Sequence, residues 1–106
     1  MSKKEEQKKG ELMHLAGQYL AREASPQSLI TVTRAEMNDD LTYITIFVSV
    51  FPESAERAAI DFCKRERSAF REYVIEKSAM HFPPTIDFEL DLGEKNRQRI
   101  DELTRS

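Results

Sequence analysis

Four basic side chains fall within one short stretch in mid-chain: Lys64, Arg65, Arg67 and Arg71. Lys64, Arg67 and Arg71 are spaced three and four residues apart, so on a continuous helix they share one face. Cations presented in a line can meet successive phosphates, and phosphate contacts supply much of the affinity of proteins for nucleic acids. Arg34 and Lys77 are candidates to extend such a patch. Spacing alone leaves a plainer reading open, that of a solvated helix face balanced by Glu66, Glu72 and Glu76.

The other candidates for chemistry are weaker. Asp87, Glu89 and Asp91 alternate along a strand pattern and would point the same way. Side chains two apart on a strand are separated by about 6–7 Å, too far for three carboxylates to converge unaided on one ion. They are expected to form a solvated acidic face that repels phosphate and leaves RNA to the basic side. Cys63, beside Phe62 on an apolar stripe, is expected to be buried and structural. His14 and His81 belong to no ligand motif, Asp39-Asp40 are turn formers, and Gly10, Gly17 and Gly93 cannot build a phosphate-binding loop. No catalytic arrangement emerges, and neither a cofactor nor a metal is called for. Tyr43 and Phe47 sit on the outward face of a strand, either as stacking platforms for bases or as residues covered by the first helix or a terminal one.

These residues need a scaffold, and the composition limits what it can be. The 106 residues amount to one domain, with 40% hydrophobic and 33% charged residues. The polar segment 1–9 reads as a lead-in, and 10–106 as a single domain. The net charge of −3 is unevenly spread: residues 25–56 carry a net −4, whereas 57–81 carry +2. A single cysteine excludes an intrachain disulfide and suits a reducing compartment. The start of the chain lacks the pattern of a secretory signal, and the run Leu41–Phe51 is too short to span a bilayer. A soluble cytoplasmic protein is expected.

Periodicity supplies the elements. Leu12, Leu15, Ala16, Tyr19 and Leu20 recur at helical steps, predicting an amphipathic helix over 10–24 that Ser25-Pro26 ends. Leu29–Met37 reads as a strand, but Ile30 and Val32 are out of phase with Ala35 and Met37. One extra residue near Thr33-Arg34 repairs the phase, so a β-bulge is predicted there. Asn38-Asp39-Asp40 makes a turn into a second strand, Leu41–Phe51, with Ile44, Ile46, Val48 and Val50 facing inward. Ser54 is a candidate N-cap for a helical pattern running to about Ala79. The polar block Lys64–Ser68 interrupts that pattern, so a kink or break is expected. Ile86, Phe88, Leu90 and Leu92 form the inward face of a third strand, and Gly93 opens a last short helix containing Asn96, Ile100 and Leu103. The result is a two-layer α+β sandwich with a three-stranded sheet.

The order α-β-β-α-(kink)-α-β is that of the type II KH-like domain, and the residues carry a more specific resemblance. Ile30–Arg34, Asp40-Leu41 and Val48–Val50, then Phe70-Arg71 through Pro84 to Phe88, and finally Ile100-Asp101-Glu102-Leu103, resemble the ribosome-binding factor A family. Ser25-Pro26 stands where that family tends to have Asp-Pro. Its kink is usually Ala-x-Gly, and the matching positions here are Glu66-Arg67-Ser68; His81 stands where arginine is common. The resemblance implies a non-catalytic assembly factor that binds the small (30S) ribosomal subunit and its ribosomal RNA during late maturation, as a monomer and away from membranes. It implies an RNA-binding surface made of Arg34, Lys64, Arg65, Arg67, Ser68, Arg71, Lys77 and His81. The alternative, from a different class, is a small interaction domain whose acidic sheet face meets a basic ribosomal protein.

Overall fold

The computed structural model describes residues 3–93. Helix α1 spans Lys3–Glu23 and is followed by strands β1 (Leu29–Met37) and β2 (Tyr43–Phe51). Helices α2 (Glu56–Arg65) and α3 (Arg67–Lys77) precede strand β3 (Thr85–Leu90). The sheet order is β1-β2-β3, with β1 antiparallel and β3 parallel to β2. This is the type II KH-like order. The predicted last helix lies outside the described residues.

β2 is the central strand, and Ile44, Ile46 and Val48 are completely buried beneath the helices. α1 contributes Leu12, Ala16, Tyr19 and Leu20, α3 contributes Phe70 and Val74, and β3 contributes Ile86 and Phe88. Aromatic contacts join the layers, with ring centroids 5.5 Å apart for Tyr19–Phe70 and 5.8 Å for Phe70–Phe88. Burying a large apolar side chain of this kind stabilises the fold by roughly 1.5–3 kcal/mol.

Several boundaries differ from the sequence reading. α1 begins at Lys3, because the run of Lys, Glu and Gln before Gly10 consists of strong helix formers that extend the packed turns. β2 begins at Tyr43 because Leu41 takes a left-handed backbone, with φ of 59°, inside the turn. Asn38 holds that turn, its Oδ1 accepting from the N–H groups of Thr42 and Tyr43, both at 2.9 Å. Ser54 does not cap α2. The chain enters through a 3₁₀ turn, Glu53–Ala55, in which the Ala55 N–H already bonds the Pro52 carbonyl at 2.9 Å, and α2 has no side-chain cap. β3 ends at Leu90, so Leu92 is not on its inward face and is 62% exposed.

The β-bulge is where the phase of the sequence requires it. Val32 pairs with Val48 and Arg34 with Phe47, which leaves Thr33 as the extra residue. The Thr33 hydroxyl donates to Asp91 Oδ2 at 2.6 Å. Asp91 is therefore not on a solvated acidic face: it lies just past β3, its N–H bonds the Val48 carbonyl at 2.8 Å, and its carboxylate reaches over β2 to β1, 5% exposed.

Candidate nucleic-acid interface

The polar block that interrupts the helical stripe produces a sharp break at a single residue. Glu66 closes α2 and opens α3 with φ −87° and ψ 2°, its N–H bonding the Phe62 carbonyl at 3.0 Å and its carbonyl accepting from Phe70 N–H at 2.8 Å. Because φ stays negative, the bend needs no glycine, and Glu66-Arg67-Ser68 makes it with ordinary side chains. Two side-chain contacts hold it. Tyr19 donates its hydroxyl to Glu66 Oε1 at 2.6 Å, and Arg67 Nε donates to the Lys64 carbonyl at 2.9 Å, satisfying one of the open acceptors at the end of α2. Burial, then the bond and charge of Glu66, push the Tyr19 hydroxyl up to about 12.

Lys64, Arg67 and Arg71 keep their common side despite the break. They lie in a line beside β3, which is an edge strand. Arg71 donates to the Pro83 carbonyl at 3.4 Å, ahead of β3. Further along, Arg67 Nη1 meets Asp87 Oδ1 at 3.1 Å, and Lys64 Nζ meets Asp87 Oδ1 at 3.0 Å and Glu89 Oε1 at 3.2 Å. The three–four spacing thus yields the expected row of cations, but two of the three are already paired with carboxylates. Those carboxylates come from β3, not from Glu66, Glu72 or Glu76 as helix spacing suggested.

This corrects the picture of β3 as a solvated acidic face standing apart from the hinge. Asp87 and Glu89 alternate with the buried Ile86 and Phe88, so they point to the open side of the sheet, and the hinge cations reach around the β3 edge to them. Partial burial works against charge on Asp87. It is outweighed by hydrogen bonds from Lys64 and the Phe88 N–H and by the charges of Lys64 and Arg67, so the carboxyl sits below its usual range. Lys64 is the mirror case: desolvation opposes its charge, but Asp87 and Glu89 hold the ammonium above its usual range.

The remaining candidates do not converge on this row. Arg65 leaves α2 on another side and lines a groove of about 240 Å³ with Phe62, Ser25 and Ile30. Ser68 is exposed in the first turn of α3, Lys77 is exposed at the helix end, and His81 is exposed in the loop before β3. Arg34 is on β1, separated from β3 by the central strand. It pairs with Glu36 and, at 3.4 Å, with Asp91, and its guanidinium lies 3.7 Å above the Phe47 ring. The hydrogen bond that Arg34 donates to Glu36, opposed by desolvation but joined by the charges of Asp91 and Glu36, raises Arg34 above its usual range. Phe47 is therefore covered by an arginine rather than by α1, whose apolar stripe packs on the opposite sheet face. Tyr43 stays exposed, its hydroxyl 3.4 Å from Asp87 Oδ2. Cys63 is fully buried, and burial raises its thiol to about 11. No helix among the described residues is long and apolar enough to cross a membrane.

A model of the ribosome-binding factor A family matches residues 3–104. The chain belongs to that family. Ribosome-binding factor A of Fervidobacterium nodosum is 32% identical over 81 residues, which make up 76% of this chain and 65% of that protein. Its counterpart in Pseudothermotoga lettingae is 27% identical over 97 residues, covering 88% of this chain and 82% of the relative. The chain thus spans just under two thirds of the first relative's length and more of the second's. The crystal structure of ribosome-binding factor A from Thermus thermophilus superposes with a TM-score of 0.69 at 18% identity, covering 77% of this chain and 89% of that one. At that identity the superposition establishes the KH-like fold, and membership of the ribosome-binding factor A family rests on the sequence match.

Proposed function

We propose that this protein is a non-catalytic ribosome assembly factor that binds the small ribosomal subunit and its ribosomal RNA during late maturation. The observation that carries the reading is the family match over residues 3–104, which takes in every element of the fold. The line of Lys64, Arg67 and Arg71 beside an edge strand supports it, since a row of cations on a KH-like hinge suits a phosphate backbone. In this reading Ser68, Lys77 and His81 are peripheral contacts, Arg65 serves a different side of α2, and Arg34 is a separate contact on the open sheet. The protein works as a monomer in the cytoplasm, without a cofactor. It should comigrate with free small subunits, and not with mature ribosomes, on a density gradient. Charge reversal at Arg67 and Arg71 together should abolish that comigration, and unchanged comigration would remove the hinge from the interface.

One observation favours a second reading. Asp87, Glu89 and Glu36 give the open sheet face carboxylates enough to receive a basic segment of a ribosomal protein. Salt titration of binding to naked small-subunit RNA separates the two. Three phosphate contacts to that RNA, with all three hinge cations engaged, predict a log–log slope near −2, at about 0.7 per single-strand contact. The protein-partner reading predicts little RNA affinity at any salt concentration.

A further inference from the structure

Resting on the hinge as the RNA-contacting surface, we infer that Asp87 and Glu89 act as built-in competitors for phosphate, holding Lys64 and Arg67 until an RNA backbone displaces them. The carboxylate oxygens occupy the positions phosphate oxygens would take, one Asp87 oxygen bridging Lys64 at 3.0 Å and Arg67 at 3.1 Å. Glu89 takes a further hydrogen of the ammonium at 3.2 Å. This cluster of two cations and two carboxylates is electrically balanced. A lone phosphate arriving there must break these contacts and then stand beside two released negative charges.

The cations and Glu89 are open to solvent, with the Lys64, Arg67 and Glu89 side chains 34%, 47% and 48% exposed, whereas the Asp87 side chain is 16% exposed and is reached through its partners. Arg71, which among the described residues bonds a backbone carbonyl and no carboxylate, escapes that penalty and can make the first contact. The consequence is selectivity. Random RNA that offers isolated phosphates gains little from the hinge. An RNA shaped to meet Arg71 together with the paired cations recovers the cost of displacing the carboxylates.

The test is binding of a fluorescein-labelled single-stranded RNA oligonucleotide, followed by anisotropy across a salt series. On this unfitted oligonucleotide wild type should engage Arg71 alone, with a log–log salt slope near −0.7; the double variant Asp87→Asn/Glu89→Gln should bind about tenfold tighter, with the slope steepening to about −2 as two cations are freed. Adding Lys64→Ala and Arg67→Ala to that background should erase the gain. The double variant Asp39→Asn/Asp40→Asn, in the β1–β2 turn, removes the same two charges away from the hinge and should leave affinity within about twofold. Equal tightening by this turn variant, or unchanged affinity in the hinge double variant, overturns the inference. Should the hinge double variant fail to melt cooperatively, Glu89→Gln alone, which leaves the Asp87 contacts in place, should still tighten binding more than the turn variant does, and a gain no larger than the turn variant's overturns it equally. Comigration of wild type with small subunits beside an unresponsive variant would sink the competition and spare the assembly role; tightening without comigration would do the reverse.

Discussion

Asp87 and Asp91 have the same side chain, are four residues apart, and have the same parity in the sequence, yet they do different work. Asp91 is sealed between strands, where it accepts the hydroxyl of the bulge residue Thr33 and pairs with Arg34. Asp87 is at the rim, where it gathers two cations from the helical hinge. The difference teaches that burial, more than partner count, decides whether an ionic contact is part of the scaffold or an adjustable surface device. Water screens and competes for the rim contacts, while the sealed one has no solvent to fall back on.

The largest effect should come from Asp91→Ala, which removes the 2.6 Å partner of the Thr33 hydroxyl, leaves it the longer 3.3 Å bond to the Phe47 carbonyl, and loosens the bulge. Urea unfolding should show a loss of about 2–3 kcal/mol, in line with removal of a buried hydrogen bond to a charged group. A loss of about 1 kcal/mol or less would place Asp91 in the same class as Asp87. Asp87→Asn should cost less, about 0.5–1 kcal/mol, because its partners remain hydrated when it is neutralised.

The pH dependence sharpens the same contrast. The Asp87 carboxyl is held below its ordinary value, so its stabilising contribution is present above the range where an unfolded carboxyl titrates and is lost as pH falls through the lower folded value. The stability gap between wild type and Asp87→Asn should therefore be full at neutral pH and close in thermal melts taken below about pH 4. Lys64 is held above its ordinary value, so its contribution persists through neutral pH and fades only as the ammonium deprotonates at high pH. The smallest change belongs to Glu89→Gln, whose exposed single pairing with Lys64 should alter urea unfolding by no more than about half a kcal/mol.

Much of the scaffold was legible from local patterns. The phase slip between Val32 and Ala35 located the bulge, since a strand can keep both segments facing one core only by inserting a residue. The polar block at Lys64–Ser68 located the break, because an unbroken apolar stripe is needed to keep a helix seated. The buried Cys63 followed from its place on that stripe. Strand ends were less legible. Leu41 and Leu92 are apolar and suit the alternation, but one sits in a left-handed turn and the other beyond the last ladder residue.

The element order, the inward faces, the position of the hinge and the line of three cations along it follow from periodicities a few residues long, which any reading of the chain contains. What those cations meet was settled by long-range packing. Parallel pairing of β3 with β2 brings Asp87 and Glu89, more than twenty residues from Lys64, to the edge where α2 gives way to α3. The same packing turns Asp91 inward from the acidic row its spacing implied. Charge pairing across such distances depends on which strand closes the sheet and on which side the helices lie, and no local spacing encodes either.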